Sequence, residues 1–121
     1  MMELEVIKSF NEVDHVKYPA KLSRASPSSN GCLLMETGSE DGYVRMGVKR
    51  KSLYAHRFAY FYKYRTESIP NFEVSHKCHT RNCVCTDHLS YEPSHTNKLR
   101  MTCKKENKCM SHGQYGACIL F

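Results

Sequence analysis

Residues 74–97 read VSHKCHTRNCVCTDHLSYEPSHTN, and the fold turns on them. The stretch opens near His76, crowds Cys78, Cys83 and His88 into one short loop, and closes in a polar segment carrying Asn97. A loop this rich in thiol and imidazole has too little apolar surface to fold by burial, so a metal is the physical reason for it. Zinc bound there would fold the loop and carry His76 and Asn97, distant in sequence, toward one point.

A second donor-rich stretch lies downstream. Residues 101–118 contain C-x5-C-x2-H-x5-C, formed by Cys103, Cys109, His112 and Cys118, with Gly113 and Gly116 between the donors. Structural zinc takes four thiolate or imidazole ligands in a tetrahedron, so these four make one full set. Cys78, Cys83 and His88 make three of another. Cys32 is the candidate for the fourth place, with Cys85 and His79 competing for it. Both sets are closed, which leaves no open position for a catalytic water; the zinc should be structural and the chemistry should lie beside it. Two Zn²⁺ and six thiolates would lower the formal charge from +6 to about +4, so the protein stays basic.

Composition agrees with a small, metal-stapled domain. The chain has 121 residues, 40% of them apolar, and no Trp, enough for one domain with a modest core. A net charge of +6 and a pI near 9.0 favour an anionic partner. Between Asp41 and Glu67 there is no acid, yet Arg45, Lys49, Arg50, Lys51, Arg57, Lys63 and Arg65 all fall there, interleaved with aromatics. That pattern points to nucleic acid. Seven cysteines, an odd number, argue against a disulfide framework. The N-terminal MMELEVIKSF lacks a signal-peptide apolar run, and no stretch approaches transmembrane length. The expected setting is therefore intracellular and reducing, cytosol or nucleus, away from membranes.

The coarse reading is α+β. Residues 1–30 form an N-terminal segment in which Leu4, Ile7 and Phe10 suit one helix face, while 3–10 also reads as a strand. Ser26 to Asn30, SPSSN, is a loop by composition. Residues 31–121 hold the main domain. Strands are expected at 31–38 and 43–48 around the turn SEDG, with Lys49, Arg50 and Lys51 at a hairpin tip and 52–54 returning. Val44, Met46 and Val48 should face the core, leaving Tyr43 and Arg45 for a partner; such a ribbon fits the DNA major groove. Residues 55–64 read as a helix with Phe58, Phe61 and Tyr62 packed inward. Residues 94–101 read as another, capped by Ser94, with Asn97 in its first turn. Ile119, Leu120 and Phe121 are apolar enough to dock on the core or on a second subunit.

The combined pattern H-x-C-x4-C-x4-H-x8-N, from His76 to Asn97, followed by C-x5-C-x2-H-x5-C, resembles the His-Cys box homing endonucleases of the ββα-metal (His-Me finger) nuclease superfamily. The similarity runs from about Cys32 to Cys118. It implies a small antiparallel sheet plus a ββα-metal motif, stapled by two structural zinc sites. It implies a DNA endonuclease in which His76 is the general base and Asn97 holds one catalytic Mg²⁺-type ion at the scissile phosphate. A neutral imidazole titrates near working pH, and a hard cation prefers the amide oxygen, so the residue types suit those roles. The family's phosphate-contacting sheet arginine best matches Arg45, with Arg57 as runner-up. Tyr43, Arg45, Lys49, Arg50 and Lys51 would meet double-stranded DNA, and family precedent favours a homodimer. Here Val84, Cys85, Thr86 and Asp87 follow the second loop cysteine, where the family often has His and Asn-Pro, and the tail beyond Cys118 is short. A non-catalytic zinc-stapled DNA-binding module and a low-specificity defence or toxin nuclease are the competing readings.

Overall fold

The structure, a computed structural model, describes residues 2–119. The chain begins with two helices, α1 (Met2–Lys8) and α2 (Glu12–Leu22). Asn11 starts α2 with a reciprocal cap: its side chain accepts from the Asp14 amide, and the Asp14 carboxylate accepts from the Asn11 amide. The opening segment is thus helical rather than extended. Leu4, Val6, Ile7 and Tyr18 are buried with Phe58 and Phe61 of the later helix in one core. The acid Glu3 is also buried, where it holds Arg57 at 3.0 Å.

Two short strands follow, β1 (Ser26–Pro27) and β2 (Leu33–Leu34), paired antiparallel. The expected strand over 31–38 does not join the basic ribbon. Its backbone instead lies against the donor-rich loop: the Met35 amide donates to Asn82 O and the Val84 amide to Leu33 O. Cys32, at the head of this segment, draws it there. The SPSSN loop likewise contributes Ser26 and Pro27 to that small ladder.

The ribbon itself is two-stranded, β3 (Arg45–Val48) with β4 (Lys51–Tyr54), Arg45 opposite Tyr54. Val44, Met46 and Val48 are buried and Arg45 and Gly47 exposed, as the alternation requires. The turn is Lys49–Arg50, both at positive φ (47° and 68°), the twist-matched hairpin geometry that usually takes Asn-Gly. β4 runs directly into α3 (Ala55–Tyr64), which buries Phe58, Ala59 and Phe61 and ends at Arg65 in the left-handed region.

The last unit is strand–loop–strand–helix. β5 (Phe72–His76) pairs antiparallel with β6 (Leu89–Pro93), His76 opposite Leu89, and α4 (Ser94–Glu106) packs back on both strands. The register sets Glu73 opposite Glu92, two like charges that would repel on one face. Asn97 and Arg100, one turn apart on α4, resolve this by taking one acid each. Ser94 does not cap α4. Its hydroxyl donates to Asn71 O, and the cap position belongs to Pro93. The helix also runs past residue 101 and so carries Cys103. Ile119 is partly exposed, and its amide donates to Lys77 O; Leu120 and Phe121 lie outside the described residues.

Candidate metal centres and catalytic pocket

Cys32, Cys78, Cys83 and His88 converge so that their donor atoms lie within 4.8 Å of one another, and Cys103, Cys109, His112 and Cys118 do the same. Cys32 therefore completes the first set, and neither Cys85 nor His79 belongs to it. Tetrahedral bonds of about 2.3 Å to sulfur and about 2.0–2.1 Å to nitrogen put S and N about 3.5 Å apart. In the first set His88 Nδ1 lies 3.4 Å from Cys32 Sγ and 3.8 Å from Cys83 Sγ. In the second, His112 Nε2 lies 3.5 Å from Cys103 Sγ and 3.4 Å from Cys118 Sγ. Both groups fit zinc. Cys32, Cys78 and Cys83 are each almost fully buried, and with no cation they cannot all ionise. The hydrogen bond from Cys78 holds Cys83 down to about 4 and raises Cys78 itself, while burial raises Cys32. A divalent cation removes that conflict.

The first loop fixes a histidine beside it. His76 ends β5 and is 9% exposed, and its Nε2 sits 2.9 Å from the backbone oxygen of Cys83. A carbonyl only accepts, so Nε2 carries the proton and Nδ1 the lone pair. Burial pushes His76 down to about 4, so the ring is neutral at pH 7. Asn97, in the first turn of α4, donates its amide N–H to the Glu73 carboxylate. That bond decides the amide's orientation and turns Oδ1 away from Glu73, available to a hard cation. His76 and Asn97 line one cavity of about 160 Å³ with Tyr43, Arg81, Arg100 and Lys104.

A family model described as the zinc-binding loop region of homing endonuclease matches residues 21–118. The chain belongs to that family. No curated protein and no solved structure matches it significantly. Membership carries the homing-endonuclease type of zinc-binding region into the α+β fold above, with both tetrads inside the matched span. No helix among the described residues is long and apolar enough to cross a membrane.

Other expected residues fall as follows in this homing-endonuclease zinc-loop chain. Arg45 is exposed on β3, donating to Asp41, Ser39 and the Tyr54 hydroxyl. Arg57 is half-buried against Glu3. Tyr43 lies by the pocket, 6.2 Å from the His76 ring. Arg50 and Lys51 are exposed at the hairpin tip, whereas Lys49 turns back to Asp14 at 3.3 Å.

The structure adds residues that the spacing of motifs did not single out. His56, opening α3, packs its ring 4.4 Å from that of His76, and burial pushes it down to about 2. Its Nδ1 is buried with no hydrogen-bond partner. Arg100 is 1% exposed and grips Glu92 through two nitrogens. It also donates to Tyr115 O and Gly116 O and reaches Cys118 Sγ at 3.6 Å, tying the second tetrad to the β5–β6 hairpin. A sequence signal existed for it: Asn97, Arg100 and Cys103 recur every three residues, one stripe of a helix.

Proposed function

We propose that this chain is a metal-dependent DNA endonuclease that hydrolyses phosphodiesters at a specific target, with His76 as general base. The observation that carries the reading is the His76 Nε2–H bond to Cys83 O, because it leaves Nδ1 as the basic atom in the pocket that Asn97 shares. Nδ1 takes a proton from water; the water oxygen bonds to phosphorus, the P–O3′ bond breaks and the leaving O3′ takes a proton from solvent water, giving 5′-phosphate and 3′-hydroxyl ends. The charge that develops on the ring is stabilised by the carbonyl dipole already held at Nε2. Asn97 Oδ1 would hold one Mg²⁺-type ion, whose Lewis acidity stabilises the phosphate and the leaving oxygen when bound. Arg81 and Lys104 add positive charge to the same wall. The sheet's basic residues would face double-stranded DNA, and two chains on one duplex would cut both strands.

The test is plasmid nicking with Mg²⁺. His76→Ala should slow nicking by about 10²–10⁴-fold while zinc content and duplex binding persist. Equal cleavage by that variant removes His76 from the mechanism. A wild-type chain that binds duplex yet never nicks it, with any divalent ion, is a DNA-binding module instead. Parallel reactions on unrelated plasmid and on RNA separate a specific enzyme from a low-specificity nuclease.

A further inference from the structure

A second cavity, about 540 Å³, lies outside the catalytic pocket, between the end of α2, the β2 segment and β3. Its floor is apolar, with Leu34, Val44 and Met46. Its rim is cationic: Lys21, Arg24 and Arg45 against the single carboxylate of Glu36. Lys21 spends one donor on Gly47 O at 2.7 Å, which fixes the ammonium at the rim and leaves two donors over. Arg45 belongs to this rim and also begins a ladder of cations and rings. Its guanidinium lies 4.8 Å from the Tyr54 ring; Tyr54 is 5.5 Å from Tyr43; and the Arg81 guanidinium lies 5.2 Å from Tyr43. Tyr43 and Arg81 line the cavity of His76. The two cavities are thus joined by one continuous cationic and aromatic track.

We propose that this cleft carries the DNA backbone away from the cleaved bond, Lys21 and Arg24 each neutralising one flanking phosphate while the sugar edge rests on the apolar floor. The inference rests on the endonuclease reading for its ligand. It gives α2 and the residues after it a part in substrate binding rather than in packing alone. Phosphates are the fitting occupant because Lys21 and Arg24 outnumber Glu36 at the rim, Arg45 being paired with Asp41 at 3.0 Å, and because the track leads to a site suited to a phosphodiester.

The experiment is equilibrium binding of duplex DNA over a range of salt, with Ca²⁺ replacing Mg²⁺. Each neutralised phosphate contributes about 0.9 to the slope of log K against log salt. Lys21→Gln/Arg24→Gln should lower that slope by about 1.8, and Arg24→Gln alone by about 0.9. Lys8→Gln/Lys63→Gln removes the same charge where the fold pairs it with Glu67 and Asp87, and should leave the slope intact. An unchanged slope in the first variant overturns the proposal, as does an equal fall in the control. A slope loss in a chain that never nicks DNA keeps the cleft and sinks the endonuclease reading; no duplex binding at all sinks both.

Discussion

Two histidines with rings 4.4 Å apart have different partners. His76 has a carbonyl on Nε2, whereas the buried Nδ1 of His56 has no hydrogen-bond partner. His56 is held near 2, well below the ordinary imidazole value, mainly by burial. Between about pH 2 and 6.5 the unfolded chain therefore binds a proton there that the folded chain does not, so stability rises with pH across that window. Acidifying from pH 7.5 to 5.5 should cost on the order of 1 kcal/mol through this residue, and His56→Phe should flatten that part of the thermal-melt profile. If the profiles of variant and wild type overlay, His56 is not buried neutral. Asn97 gives a second test. With Glu73→Ala the amide is free to turn, and the Mg²⁺ concentration for half-maximal nicking should rise roughly 10-fold, with the maximal rate little changed. Glu73→Gln keeps an acceptor and should recover most of the loss; an unaltered Mg²⁺ dependence in the alanine variant would remove Glu73 from any positioning role. That His76 and Asn97 come to one cavity was legible in the sequence, because a fixed spacing around the cysteines marks both. Glu73 and His56 were not, because their contacts depend on which strand faces which helix.

At the scale of elements, α4 is the member that joins everything. Its first turn carries Asn97, its middle Arg100 and its last turns Cys103, so one helix face touches the cavity of His76, the buried acid of β6 and the second tetrad. Glu92 is fully buried and Arg100 nearly so, with contacts of 2.8–3.0 Å. Removing one partner leaves the other charge buried and unpaired, at a cost of about 3–5 kcal/mol. Glu92→Gln should therefore lower urea-melt stability by roughly that amount with zinc bound; a loss below about 1 kcal/mol would mean that water or the carbonyls of Tyr115 and Gly116 suffice for Arg100. The ribbon, α3 and α4 could be read from alternation and helical periodicity. The segment around Cys32 could not. Its apolar run suits a strand, but metal donors reset its pairing, so it lies along the loop of Cys83 instead of beside β3. Nor did composition reveal the end of α4, since Cys103 reads as loop by its neighbours and becomes helical because the tetrad needs it there.

For the molecule as a whole, the two tetrads decide how much of the fold depends on zinc. The two tetrads staple distant pieces: Cys32 to the loop after β5, and the end of α4 to the C-terminal loop. Structural zinc contributes apparent binding energies of about 10–16 kcal/mol, while a domain's net stability is typically about 5–15 kcal/mol. A high-affinity chelator should then abolish the cooperative melt, and two zinc equivalents per chain should restore it. The staples are not equal, however. Cys83 is fully buried, and its carbonyl also holds His76, so Cys83→Ser should lose the tertiary fold together with all nicking. Cys109 is partly exposed near the chain end. Cys109→Ser should keep one zinc by elemental analysis, melt at a lower temperature and retain part of the nicking rate, because His76 is still held by the first loop. The reverse order, with Cys109→Ser inactive and unfolded but Cys83→Ser folded and nicking, would show that the second tetrad sets the imidazole and that the first does not.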